Sequence, residues 1–342
     1  MTTLQEVLFE METAYLGHPY YVTGHALFNA LAPRVDARTR AALDVSHGVF
    51  VPGEHGQYPE WHSQSGGQAY MGTGLHPVEA YEDLFLFRDP AHRWLSDDRP
   101  RDAHNAHDLQ GYGGRAAFAS ACRFGQEPEA YHDIRTVNWY VHAYVTADDD
   151  ADDVLPLDTS TVDGLQVGGA RNYGFGELSV ADTQTVDVAG LDYSGLAGHD
   201  EYVLDLISPY VLASEYPGAD DQSVPWWWDA PDWGSDSDPD HDQAGDGHSH
   251  EPRMAAVGTD TRRLRRRAEQ LVVGDDVHRL QTVDHGQIVE YAGEDPVESA
   301  INGIRRVGTH AKYGFGEFRI RPVDRPAPER TATVPGGGGA HR

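Results

Sequence analysis

Two stretches of this chain carry residue types that bind anions and stack on flat rings. Gly164–Glu177 contains Gly168, Gly169, Arg171, Tyr173, Gly174, Phe175 and Gly176. Gly303–Glu317 contains Arg305, Arg306, Gly308, His310, Lys312, Tyr313, Gly314, Phe315 and Gly316. Both end in Tyr-Gly-Phe-Gly-Glu, and the two frames differ by one inserted residue. Glycine admits positive φ and close backbone approach, and successive free N–H groups in such a turn form a concave anion site. The basic side chains add charge-assisted contacts to phosphate, while Tyr173, Phe175, Tyr313 and Phe315 offer stacking faces to nucleobases. The plainer alternative is a pair of tight strand-entry turns in which glycine serves geometry alone. The repetition and the basic content favour a ligand.

Arg262, Arg263, Arg265, Arg266 and Arg267 form the strongest basic cluster in a chain of net charge −29. Such a stripe suits an RNA backbone; the alternative is a solvated face paired with neighbouring acids. His104, His107 and Asp108, with His132 and Asp133 nearby, are metal-ligand types and would suit a metal-dependent hydrolase. No helical apolar frame places the two histidines on one face, so no metal site is assigned and no cofactor is implied. His241, His248 and His250 lie in a low-complexity stretch. Trp226-Trp-Trp228 suits stacking or a partner surface; the plainer alternative is core packing of at least one of the three.

Elements must position these groups. Residues 4–16 read as a strand. Thr23–Leu31 has helical apolar spacing, with Thr23 as N-cap and Pro33 as stop. An irregular insertion over about 52–130 precedes a strand at 134–146, an acidic turn at 148–153 and the first glycine-rich loop. A second opening strand spans 201–212 and ends in Ser208-Pro209. Residues 217–252 are an acidic low-complexity insertion, with 234–252 expected to be poorly ordered. Thr261–Arg267 starts a helix or strand, and Asp295-Pro296 starts a helix that leads into the second loop. The tail 326–342, with Gly336–Gly339, is expected to be disordered.

Composition bounds the rest. A length of 342 residues fits two domains, 1–185 and 195–325. Acids outnumber bases 55 to 26 and Lys312 is the only lysine. That acidic, lysine-poor balance matches proteins of salt-saturated cytoplasm, where screening offsets self-repulsion, so the charge is read as habitat. One cysteine, Cys122, excludes an intramolecular disulfide. With no signal segment and no apolar span, a cytoplasmic protein without membrane contact is expected.

The layout of strand, helix, irregular middle, helix, glycine-rich loop and strand, written twice, is that of two tandem ferredoxin-like α+β units. The two loops, with Leu206-Ile-Ser-Pro209 closing an opening strand, resemble the CRISPR-associated RAMP superfamily of RRM-like RNA-binding proteins. The matching pieces cover well under a quarter of the chain. The resemblance implies CRISPR RNA as ligand and other CRISPR-associated subunits as partners in a ribonucleoprotein complex. It also implies an alternative, a metal-independent RNA-processing endoribonuclease in which a histidine beside the first helix is general acid or base. His25 matches that position, and imidazole titrates near neutral pH; the plainer alternative is a histidine at a helix N-terminus satisfied by a backbone partner. Two loops, rather than one near the C-terminus, depart from the processing branch and favour the binding subunit.

Overall fold

The protein, a computed structural model, is described at residues 3–18, 20–53, 55–56, 58–67, 70–88, 106–108, 116–118, 120–124, 135–147, 153–216, 264–274, 276–291, 293–308 and 310–323. The expectations on 217–252, on Trp226–Trp228, on Arg262 and Arg263 and on the tail lie outside these residues.

The first half runs β1 (Thr3–Met11), α1 (Gly24–Leu31), β2 (Gly48–Pro52), β3 (Arg135–Ala147), a one-turn α2 (Thr159–Val162) and β4 (Glu177–Asp187). Within an eight-stranded sheet these four strands lie in the order β4-β1-β3-β2 with antiparallel neighbours. This is the β-α-β-β-α-β arrangement of a ferredoxin-like fold. β1 stops at Met11 rather than at residue 16, because the following carbonyls are taken by the first glycine-rich loop. Ala14 O accepts the Gly176 N–H at 2.8 Å and Leu16 O accepts that of Gly169 at 2.7 Å.

The second half runs β5 (Tyr202–Leu206), β6 (Tyr210–Ser214), β7 (Arg266–Val273), β8 (Asp276–Val283), β9 (Ile288–Tyr291), α3 (Pro296–Arg305) and β10 (Phe318–Pro322). The order β10-β5-β9 repeats β4-β1-β3, again antiparallel. Where the first half has α1 and β2, the second has the hairpin β7–β8, with β6 alongside β8. The strand expected over 201–212 is broken at Ser208-Pro209, since proline has no N–H to give a ladder. The arginine-rich run enters a strand, not a helix. α3 starts as its sequence dictates: the Asp295 carboxylate accepts the N–H groups of Val297 (3.0 Å) and Glu298 (2.9 Å).

Of three apolar clusters among the described residues, the two larger ones mix both halves, and the third (Leu8, Val51, Leu86, Phe87 and Tyr140) belongs to the first half alone. Of the larger two, one joins Val7, Leu27 and Trp139 to Leu271, Tyr313 and Phe315. The other joins Leu4, Tyr144 and Val186 to Leu204, Ile304 and Phe318. Among the described residues no helix is long and apolar enough to cross a membrane.

Candidate nucleic-acid interface

The two glycine-rich loops close in the same way, though the turn is entered from Ala170 at φ 58° in the first and from His310 at φ −116° in the second. Each contains a single 3-10 turn, Arg171–Tyr173 or Ala311–Tyr313, closed by a glycine in the left-handed region: Gly174 at φ 82° and Gly314 at φ 90°. In each, the last glycine closes the base of the loop: Val167 N–H donates to Gly176 O (2.9 Å) and Val307 N–H to Gly316 O (3.0 Å). The N–H of that glycine then ties the loop to the residue beyond the opening strand, Ala14 or Pro209. A β-carbon on Gly176 or Gly316 would lie 1.9 Å from a backbone oxygen, so glycine is obligatory at both. The expected row of free N–H groups is largely spent within the protein. Gly169, Tyr173, Gly174 and Gly176 donate to carbonyls, as do Ala311, Tyr313, Gly314, Phe315 and Gly316. Any anion at these loops is therefore held mainly by side chains.

The surroundings of the loops differ. The first is open: Tyr173 is 66% exposed, Arg171 is exposed, and space is free around Gly174. The second is sealed against the first half. Tyr313 meets Phe28 edge-on (5.3 Å), and Phe315, 2% exposed, meets His47 (4.9 Å). Lys312 Nζ donates to Ala41 O (2.6 Å) and lies 5.1 Å from the Phe28 ring centre. Buried Arg306, at φ 67°, donates to Ala311 O (3.1 Å) and Thr146 Oγ1 (2.6 Å). Burial lowers its pKa, opposed by Asp44. His310, also buried, sits 2.9 Å from Ser214 Oγ, and burial lowers it to about 4. Arg305 is half-buried in the last turn of α3, and Gly308, at φ 96°, is exposed. Tyr313 and Phe315 thus face protein, because the aromatic side chains that could stack on bases complete the shared core instead.

A cleft of about 800 Å³ opens beside the first loop. Gly168, Gly169 and Arg171 line one wall, Thr23, His25 and Asn29 of the α1 entry line another, and Arg267 to Gln270 of β7 line a third. The structure therefore brings together His25, Arg171, Gly168, Gly169 and Arg267, residues up to 242 positions apart (25 to 267). His25 is 8% exposed; its Nε2 lies 3.2 Å from Thr23 Oγ1, and its Nδ1 has no hydrogen-bond partner among the described residues. Burial lowers its pKa to about 4. Arg267 is half-buried and shared with acids, 3.3 Å from Glu269 and 3.9 Å from Asp284. Arg265 also pairs with Asp284 (2.7 Å), while Arg266 is exposed on β7. Part of the basic cluster is thus neutralised by its own strand and the β8 end.

Sequence reading passed over His18, Tyr15 and Glu269, which also line the cleft. Gly17-His18-Pro19-Tyr20-Tyr21, a turn signal with three rings ahead of a helix, was the available clue for His18; Glu269 is placed only by the packing of β7 on α1. His104 lies outside the described residues, and for His107 and Asp108 only the backbone of a short strand, Ala106–Asp108, is described. Among the described residues no group of three or more His, Cys, Asp or Glu is arranged to hold a metal ion.

No family model and no curated protein matches the chain. Among solved structures it is similar to one titled CRISPR associated protein Cas6, at 11% identity and TM-score 0.35, over 94% of this chain and 100% of that one. It is also similar to an oligomeric Cmr4 from Pyrococcus furiosus, at 12% identity and TM-score 0.27, over 55% of this chain and 100% of that one.

Proposed function

We propose that the protein binds single-stranded RNA along the open first loop and its cleft, as a CRISPR RNA-binding subunit of a ribonucleoprotein complex. The observation that carries the reading is the asymmetry of the loops: Arg171 and Tyr173 stand exposed beside a cleft that Arg267 also lines. A cation for the backbone next to a ring for a base is the combination that single strands require. The choice of CRISPR RNA comes from the loop and Ser-Pro motifs. The second loop acts here as an anchor between the halves rather than as a contact.

One observation favours a second reading, a metal-independent endoribonuclease: His25 lines the cleft with an unpartnered ring nitrogen, the position a general base needs. A single titration separates the two. With repeat-containing RNA in EDTA, the binding subunit leaves the RNA intact. Arg171→Ala with Tyr173→Ala should then weaken binding about tenfold or more, from a lost stacked base at ~1–3 kcal/mol, and flatten the salt dependence by about one unit. Unchanged affinity and slope remove the first loop from the interface. Cleavage that survives EDTA and vanishes in His25→Ala establishes the enzyme instead.

A further inference from the structure

We infer that Glu269, in the wall of the cleft, reads the Watson–Crick edge of a guanine base in the bound strand. The inference rests on the cleft being the RNA site and names the base that enters it.

Glu269 and Leu271 share one face of β7, since side chains alternate along a strand. Leu271 is buried in the cluster that also holds Leu27 of α1, so the same packing pins Glu269 against the α1 entry. Glu269 is 8% exposed and lines the cleft. Its partners meet one oxygen. The Tyr21 hydroxyl donates to Oε1 at 3.2 Å, Arg267 Nε lies 3.3 Å from it and His18 Nε2 3.9 Å. His18 Nδ1 accepts the Tyr20 N–H at 3.4 Å, which leaves the proton of the neutral ring on Nε2. The carboxylate is thus fixed through Oε1, while Oε2 has no hydrogen-bond partner among the described residues. Burial raises its pKa, with Arg267 and the Tyr21 hydroxyl opposing.

A carboxylate in an RNA cleft repels phosphate at close range, so the partner it can gain is a donor edge of a base. Of the four bases only guanine sets two donors, N1–H and N2–H, side by side on its Watson–Crick edge. The two oxygens of one carboxylate accept both at once, and Oε1 keeps a lone pair beyond the one given to Tyr21. Adenine and cytosine place one amino group beside a bare ring nitrogen, and uracil places one N–H between two carbonyls. Each of these therefore turns a lone pair against the carboxylate. The half-buried Arg267 guanidinium, 5.7 Å from the Tyr20 ring centre, supplies a plane on which the base can stack.

Fluorescence anisotropy with short uridine-rich single strands carrying one central guanosine, inosine, adenosine or cytidine tests the assignment. Wild type should bind the guanosine strand about tenfold more tightly than the adenosine or cytidine strand. Inosine, which lacks the N2 amino group, should fall between them. Glu269→Gln keeps an acceptor for Tyr21 and turns the other oxygen into a donor, so adenosine and cytidine should become level with guanosine. A Glu269 that serves only the fold lowers all four affinities alike, and unchanged ratios in the variant overturn the inference. Equal binding of the four strands by wild type overturns it too and leaves the RNA reading intact. Guanosine monophosphate bound in preference to adenosine monophosphate, with no strand bound, keeps the guanine site and sinks the RNA reading. If Glu269→Gln does not fold, the wild-type series decides: the order guanosine, inosine, adenosine supports the site, and any other order overturns it.

Discussion

Glu177 and Glu317 close identical pentapeptides and meet different physics. Glu177 is exposed. Glu317 is buried and grips Arg88 with both oxygens, Nε to Oε1 at 2.6 Å and Nη2 to Oε2 at 2.5 Å. Arg88, also buried, adds a bond to His47 O at 3.1 Å and lies 4.6 Å from the Tyr144 ring centre. Removing one partner of such a pair leaves an uncompensated buried charge. Glu317→Gln should therefore cost about 3–5 kcal/mol, whereas Glu177→Gln should stay within about 0.5 kcal/mol. Denaturant midpoints in high-salt buffer, with unchanged slopes, check this; equal shifts would show that the ion pair does not hold the second loop.

The glycines of the two loops carry the same contrast at the scale of the element. Gly176 and Gly316 are equally crowded, each with a backbone oxygen 1.9 Å from a would-be β-carbon. Replacing either by Ala should disrupt its loop to a similar degree. Gly174 and Gly314 share a left-handed φ, but only Gly314 is crowded, with His47 Nδ1 2.3 Å from the same point. Gly174→Ala should cost only the left-handed penalty of about 1–2 kcal/mol. Gly314→Ala should cost that and the displacement of His47, hence clearly more. Thermal unfolding of the four variants tests the pattern, and similar losses at 174 and 314 would contradict the sealed position of the second loop.

Because the two larger apolar clusters mix the halves, the whole molecule should unfold as one unit and respond to acid as one unit. His25 and His310 are buried neutral, each lowered to about 4, and His47 is pushed well below its ordinary value by burial, then by His25. The unfolded chain binds these protons at about 6.5. The unfolded state thus holds more protons between these values, and stability rises with pH across the window. Stability should be full above about pH 6.5 and fall progressively as pH drops toward about 4. Unfolding free energies at fixed salt from pH 7 to 4.5 measure it, and His310→Gln should flatten the profile. A flat wild-type profile would place these histidines in water.

What the sequence by itself determined is local. Glycine at 174, 176, 314 and 316 permits the positive φ these positions adopt, so two similar stretches can close the same turn before a strand. Asp295-Pro296 starts α3 where its hydrogen-bonding groups require, and Thr23 precedes α1. The ferredoxin-like pattern of the first half, and the β10-β5-β9 order with α3 in the second, were legible because backbone conformation follows from residues within a few positions, whereas the hairpin β7–β8 that replaces a first helix in the second half was not. What only the tertiary structure decided is exposure. Lys312 meets Ala41, and Arg88 meets Glu317 at a separation of 229 residues. Those distant contacts bury the second loop and leave the first open. The same packing brought β7 against α1, joined His18 to His25, and set Glu269 and Asp284 beside arginines that read as free charge in the sequence. A motif fixes what a loop can look like; desolvation by residues far along the chain fixes which copy can still meet a ligand.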